Sequence, residues 1–412
     1  MESLFLKYII CLGDGMADWP LPDYDMRTPI EVAKTPAIDE VGRRGVVGQF
    51  CPIPEGLPAG SDIGNLSCFG YNPGASFRGR APIEAINQGI ALADNEVAFR
   101  CNLVTIEDGI MEDFTAGHIS TEEAAEIIAT LNETLGQEFP IRFHTGVSYR
   151  HCAIMPENEG ASLKAMCDLE CEPPHNITDK AVAPWLPKGE GHEIIHALIA
   201  RSQEVLKDHP VNGMRIAVEQ KPVTSIWLWG QGRAPEVQSY ADKFGITGGV
   251  ISAVDLVNGI GRCAGLDVIP VEGATGWIDT NYAGKVAAAL ASLEKNDFVY
   301  IHVEAPDETA HQGRADLKIQ AIEDFDAKIV APCLAYQDQH PDTRILVCPD
   351  HYTTIETKTH AGGPVPFALC GAGVVPKGPD IYSEQTARDS GICIEAGHTL
   401  IERMIREETL DF

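Results

Sequence analysis

Short, continuous apolar runs alternate with longer amphipathic stretches along most of this chain. KYIICLG (7–13), FVYIHVE (298–304), RILVCP (344–349) and PFALCG (366–371) are runs of the length and β-rich character expected of strands covered on both faces. VSYRHCAIM (147–155) and IWLWG (226–230) are further strand candidates. TPAIDEVGRRG (35–45) predicts a short helix, with Pro36 in its first turn and Gly45 just past its end. Leu317–Asp338 predicts a longer one. Strands alternating with helices imply an α/β fold built on a doubly wound, mostly parallel sheet. The middle of the chain breaks this rhythm. FRCNLVTIEDGIMEDFTAG (99–117) reads as alternating strands, and two amphipathic helices follow. One opens at Ser120 with Glu123 three residues on, a capping box, and the other covers Gly191–His209 and stops at Pro210. Acidic, proline-bearing loops separate them. The expected organisation is a core from residues 1–95 and 222–412, with 96–221 inserted as a smaller α+β cap and the active site in the cleft between them.

A length of 412 residues suits two or three domains at roughly 150 residues each. A formal charge of −29 repels nucleic acid and anionic membranes, so neither is an expected partner. It also means that an anionic substrate needs a locally positive site. Twelve cysteines occur without a C-x-x-C pair, and Cys11, Cys101, Cys348 and Cys370 sit in apolar runs. They read as reduced, buried thiols of a cytoplasmic protein. The N-terminal run MESLFLKYIICLGDGM carries Glu2 and Lys7 and lacks a small-residue cleavage site, so it reads as a first strand and not as a leader. Nothing approaches the ~18 uncharged apolar residues of a membrane span.

The chemistry collects where strands end. The first strand runs into Asp14, the strand at 298 into Asp307 and His311, and the strand at 344 into Asp350 and His351, with His360 nine residues later. Ligands of open parallel sheets bind beyond the carboxyl ends of strands. Aspartate and neutral histidine are what divalent transition metals take, and six such groups suit two ions sharing one substrate. GLPAGSDIGNLSCFGYNP (56–73) adds Ser61 at an apparent helix start, where backbone N–H groups and the dipole favour an anion. Most serines in that place are simple caps. Beside six metal ligands, Ser61 reads instead as a metal-activated nucleophile. Two metals about 4 Å apart would clamp an in-line phosphoryl displacement and supply the missing positive charge.

Other motifs lead nowhere. HEIIH (192–196) matches a zinc-protease motif, but Ile199 and Ser202 stand where its extended form needs glycine and histidine, and Ile195, Leu198 and Ile199 make this an amphipathic helix. NGIGRCAG (258–265) misplaces the third glycine of a dinucleotide fingerprint, and no P-loop occurs.

The order Asp14, Ser61, Asp307, His311, Asp350, His351, His360 resembles the alkaline phosphatase superfamily. GDGMADWP, TPIEVAKTPAIDEVGRRG, GSDIGNLSCFGYNP, GRAPIEAINQGI, GVSYRH, GATGWIDTNYAGK and EAPDETAHQG resemble, more closely, its archaeal-type cofactor-independent phosphoglycerate mutases. The resemblance spans nearly the whole chain. It implies a core like that of alkaline phosphatase and an isomerase of glycolysis and gluconeogenesis. That enzyme interconverts 3-phosphoglycerate and 2-phosphoglycerate, needs neither bisphosphoglycerate nor a nucleotide, and uses two divalent ions, manganese or magnesium, with zinc a further candidate. Ser61 would become phosphoserine. Asp14, Ser61, Asp350 and His351 would hold one ion, and Asp307, His311 and His360 the other. Lys285, Asn65, Arg150, Arg233, Arg80 and Arg100 are the implied substrate contacts. The substrate would be a small phosphorylated molecule, and a homo-oligomer is compatible with the resemblance. The same metal site would also serve a homoserine kinase-like phosphotransferase or a metal-dependent phosphatase.

Overall fold

A computed structural model describes residues 6–158 and 160–412. Met1–Phe5, the start of the run read as a first strand, lie outside the described residues; the strand itself is Lys7–Gly13. The chain divides into two compact units, one from residues up to Phe77 together with Val237–Phe412, the other Arg78–Glu236.

The first unit is an eight-stranded sheet. Its spatial order is Cys393–Ile394, Val46–Phe50, Val365–Gly371, Thr343–Cys348, Lys7–Gly13, Phe298–Val303, Gly248–Ile251 and Asp267–Val268. Seven strands run parallel, and Val365–Gly371 runs against both its neighbours. The continuous apolar runs arise because both faces are covered. Ile9, Cys11, Val299, Ile301 and Val347 pack on Ile38, Val41, Phe325 and Ile329. From the other face Tyr300 stacks on Phe69 with ring centroids 4.1 Å apart. Pro36–Arg44 is a helix with Gly45 as its C-cap, as its proline and glycine predict. The long helix expected at Leu317–Asp338 is two helices, Ala315–Phe325 and Ala331–Gln339, joined by a π turn at Asp326–Val330. The interruption precedes Pro332, which has no N–H to continue an α ladder. Lys318, fully buried on the first of these helices, donates to Asp18 Oδ2 at 2.8 Å and to the Thr353 carbonyl at 2.6 Å. It thereby ties the loop after Asp14 to the segment after His351.

In the second unit Glu96–Glu107 pairs antiparallel with Arg150–Pro156, Ser225–Gly232 and Ile110–Asp113, and Arg142–Val147 adds a fifth strand. Thr121–Glu133 starts with the expected Ser120–Glu123 capping box. His192–Leu206 follows the expected helix but ends before His209, and Pro210–Ala217 is a separate helix with Pro210 in its first turn. Ile127, Leu131, Ile195 and Leu198 from these helices share a core with Phe99, Cys101 and Leu228 of the sheet. The unit's edges differ from the expected 96–221. IWLWG pairs along Glu96–Glu107 and not with the parallel sheet. The helix Arg80–Asn87 belongs to the same unit, and its Ala81 and Ala85 pack on Ala98 and Ile154. A strand's sheet is decided by its partner, which a local apolar run does not reveal. Among the described residues no helix is long and apolar enough to cross a membrane.

Candidate active site

Strand register explains why distant residues meet. Leu12 pairs with His302 on one side and Cys348 on the other, and the Asp14 N–H donates to the Val303 carbonyl at 2.9 Å. Three parallel strands therefore finish at one level, and the residues just beyond them (Asp14, Glu304 with Asp307, and Asp350 with His351) converge. Two glycines permit the closeness. Gly15 has a φ of +55°, and a Cβ there would stand 2.6 Å from Asp307 Oδ1. A Cβ on Gly64 would stand 2.6 Å from the Asp350 carbonyl, so the Ser61–Cys68 helix lies directly on that backbone.

Ser61 is the first residue of this helix, and Gly60, which has no side chain to cap it, is its N-cap. The Ser61 Oγ lies 3.2 Å from His351 Nε2. The same nitrogen is 3.4 Å from Asp14 Oδ1 and 3.3 Å from Asp350 Oδ2. Asp350 is held by the Gly15 N–H at 3.1 Å and the Asn65 amide at 2.7 Å. On the other side, His311 Nε2 is 3.2 Å from Asp307 Oδ2 and 3.0 Å from His360 Nε2, and His360 Nε2 is 3.4 Å from Asp307 Oδ1. All seven metal candidates thus fall into two adjoining groups. Potential ligand atoms of Asp14, Asp350 and His351, and of Asp307, His351 and His360, lie within 4.8 Å of one another. A third such set, Asp14, His302 and Glu304, uses two residues that the motif spacing did not single out. The sequence signal for His302 was a lone imidazole inside the apolar run FVYIHVE.

The electrostatics fit a cation. Burial, and then Asp350 and Glu304, push the Asp14 carboxyl well above the usual range. Burial lifts Asp350 to about 7 and Glu304 to about 8, and drops His351 to about 3. Burial would raise Asp307 as well, but hydrogen bonds to His311 and His360 hold it well below its ordinary value. Its hydrogen bond to Asp307 raises His311 to about 9. Buried carboxylates crowded together are unstable as anions unless paired. Asp14 Oδ1 is buried with no hydrogen-bond partner, and two imidazole nitrogens face each other at 3.0 Å. Divalent cations answer all three features, and a mixed aspartate and histidine donor set is one they accept.

The implied substrate residues distribute differently. Asn65 is buried, with its amide nitrogen on Asp350 and its oxygen accepting from Tyr300 OH at 2.8 Å. It therefore braces Asp350. Lys285 is also buried and donates to the His302 carbonyl at 2.7 Å; burial pulls its ammonium down to about 8. In the second unit Arg100 lies 4.1 Å over the Trp229 ring, and Trp229 Nε1–H donates to Asn102 Oδ1 at 3.0 Å. Glu84 clamps Arg80 at 2.8 Å and Arg100 at 2.9 Å. Burial, and to a smaller extent the charges of Arg80 and Arg150, pull Arg100 down to about 10, so these three guanidinium groups are neighbours. Arg233 is apart, on Glu236 at 2.7 Å. His192 and His196 of HEIIH donate to the backbone beside them, each ring nitrogen 2.8 Å from a carbonyl oxygen, that of Gly189 and Pro187 respectively.

The profile of the family described as 2,3-bisphosphoglycerate-independent phosphoglycerate mutase matches residues 42–212. A Geobacter sulfurreducens protein described as a probable mutase of that kind is 47% identical, over 97% of this chain and 100% of its own. The Methanosarcina acetivorans enzyme of that name is 45% identical over 97% and 100%. Among solved structures, a Pyrococcus horikoshii protein superposes with a TM-score of 0.79 at 27% identity, covering 99% of both chains. The cofactor-independent phosphoglycerate mutase of Thermoplasma acidophilum shares the fold, with a TM-score of 0.66 at 23% identity, over 97% of this chain and 100% of that one.

Proposed function

The chain belongs to the 2,3-bisphosphoglycerate-independent phosphoglycerate mutase family, and on that premise we propose that it interconverts 3-phosphoglycerate and 2-phosphoglycerate through phospho-Ser61 beside two divalent cations. The observation that carries this reading is the Ser61 hydroxyl, 3.2 Å from His351 Nε2 at the meeting point of Asp14 and Asp350. A serine placed there as a mere cap would have no reason to face that group.

Asp14, Asp350, His351 and Ser61 would hold one ion, and Asp307, His311 and His360 the other; the mixed aspartate and histidine set suits manganese or magnesium, with zinc a further candidate. When bound, the pair lowers the pKa of a coordinated hydroxyl and neutralises phosphoryl oxygens. The remaining work falls to the chain. The Ser61 hydroxyl gives up its proton as its Oγ–P bond forms and the bond from phosphorus to glycerate O3 breaks, and O3 takes up a proton in its place. The glycerate then presents its O2 hydroxyl, which gives up its proton and attacks phosphorus as the Ser61 Oγ–P bond breaks, and Ser61 Oγ regains a proton. Because Ser61 opens its helix, the first-turn N–H groups and the positive helix end favour the phosphoryl oxygens in both half-reactions. The unit 78–236 would contribute to substrate binding. Arg80, Arg100 and Arg150 supply the positive charge that an acidic chain needs for an anion, and Lys285 adds a cation behind the strand ends. Glycerate must stay bound while water is kept out, or the phosphoserine is hydrolysed.

Manganese-loaded protein with 3-phosphoglycerate, coupled to enolase, tests this reading: 2-phosphoglycerate should form without added bisphosphoglycerate. Release of inorganic phosphate instead would make it a phosphatase, and ATP-dependent phosphorylation of homoserine with no mutase turnover would make it a kinase. Arg100→Ala should raise KM by about 10–100-fold through loss of a charge-assisted contact, with a smaller fall in kcat. Equal loss in Arg233→Ala would speak against the cluster around Trp229 as the anion site.

A further inference from the structure

His302 is fully buried near the end of its strand, paired with Leu12 and two residues out of step with Asp14. Its Nε2 lies 2.8 Å from Asp14 Oδ2, and its Nδ1 lies 3.1 Å from Ser252 Oγ. Ser252 Oγ accepts the Val254 N–H at 2.9 Å and keeps its own hydrogen to offer to Nδ1. A lone pair at Nδ1 places the ring proton on Nε2, aimed at the Asp14 carboxylate. The other tautomer would set an imidazole lone pair against a carboxylate lone pair at hydrogen-bond distance. Glu304 Oε2 stands farther from the same nitrogen, at 3.4 Å, so Asp14 is the nearer acceptor. The backbone of His302 is fixed as well, because the buried Lys285 donates to its carbonyl at 2.7 Å.

We propose that His302 is a positioning residue for Asp14. It occupies Oδ2, fixes the carboxylate rotation, and leaves Oδ1, which has no hydrogen-bond partner, as the oxygen presented to the cation. Ser252 sets the tautomer and Lys285 anchors the strand end. A donor hydrogen bond from beyond the ligand shell orients a metal-binding group and tunes its basicity. The inference rests on the two-cation reading of the site.

Calorimetric titration of Mn²⁺ into metal-stripped protein tests both, with thermal unfolding of each metal-free variant as a fold control. Wild type should bind two ions. His302→Ala should weaken one by ~10–100-fold, the usual cost of losing an outer-shell partner, and leave the other unchanged. His302→Gln, whose amide N–H can take the place of Nε2–H, should recover most of the loss. Ser252→Ala should cause a smaller weakening of the same ion, and it keeps the test open if His302→Ala does not fold. Unchanged binding of both ions in all folded variants would overturn the proposal, as would a glutamine no better than alanine. Three ions in wild type and two in His302→Ala would make His302 a ligand and also overturn it. A wild type that binds no Mn²⁺ would end the two-cation reading, and the role of His302 with it.

Discussion

Replacing Ser61 with alanine should abolish mutase turnover, by at least ~10⁴-fold in kcat, while leaving the fold intact. Gly60, and not Ser61, is the N-cap, so removing the hydroxyl costs the helix little. The Ser61 Oγ bonds only toward His351 among the described contacts. The loss is therefore chemical: with no oxygen to take the phosphoryl group, neither half-reaction proceeds. Substrate binding should persist, because the arginines around Trp229 are untouched. Enolase-coupled turnover beside calorimetric binding of 3-phosphoglycerate checks both halves. Near-normal turnover in Ser61→Ala would remove the phosphoserine from the mechanism.

Stripping divalent cations should stop turnover and reshape stability against pH. In the metal-free protein the folded carboxyls of Asp350 and Glu304 are raised to about 7 and about 8, and the His311 imidazole to about 9. Each of these holds its proton more tightly folded than unfolded. Their contribution is full below the unfolded values and is lost as pH rises through the folded ones. His351, depressed to about 3, works the other way, but its effect is complete once pH exceeds its ordinary value near 6.5. Between pH 6.5 and about 8 the metal-free protein should thus lose stability, on the order of 2 kcal/mol from the buried carboxyls. Mn²⁺ needs Asp350 and His311 deprotonated and its charge favours the ionised form of Glu304 beside them, so it should bind more tightly as pH rises and offset the loss. At 100 times its Kd one ion adds ~2.7 kcal/mol. Thermal unfolding at pH 6.5 and 8, in EDTA and in Mn²⁺, reads this directly. The EDTA midpoint should fall with pH and the Mn²⁺ midpoint should hold; parallel curves would mean that no cation binds among these carboxylates.

Much of the site was legible because its residues follow directly on apolar strands. Asp14, Asp307, His311, Asp350, His351 and His360 each stand a few residues past such a run, and parallel strands bring their carboxyl ends together. His302 was not, because its role depends on register: it faces Asp14 only since Leu12 pairs with it. Asn65 belonged to a motif, but its amide is committed to Asp350 and Tyr300, which no local pattern encodes. Pro36 and Gly45 marked a helix that forms as expected, since capping chemistry is local. The direction of Val365–Gly371 was hidden, because a strand covered on both faces reads the same whether it runs parallel or antiparallel. The sheet that IWLWG joins was hidden for a related reason: its partner, Glu96–Glu107, lies more than a hundred residues earlier.

The most direct test is to catch the phosphoryl group on the enzyme. Manganese-loaded protein is mixed with 3-phosphoglycerate, quenched in acid during turnover, digested and read by mass spectrometry. A phosphoryl group should appear on Ser61 within the peptide carrying GSDIGNLSC (60–68), and Ser61→Ala should carry none. Robust formation of 2-phosphoglycerate with an unmodified Ser61, or with the phosphoryl group on another residue, would contradict transfer through this serine.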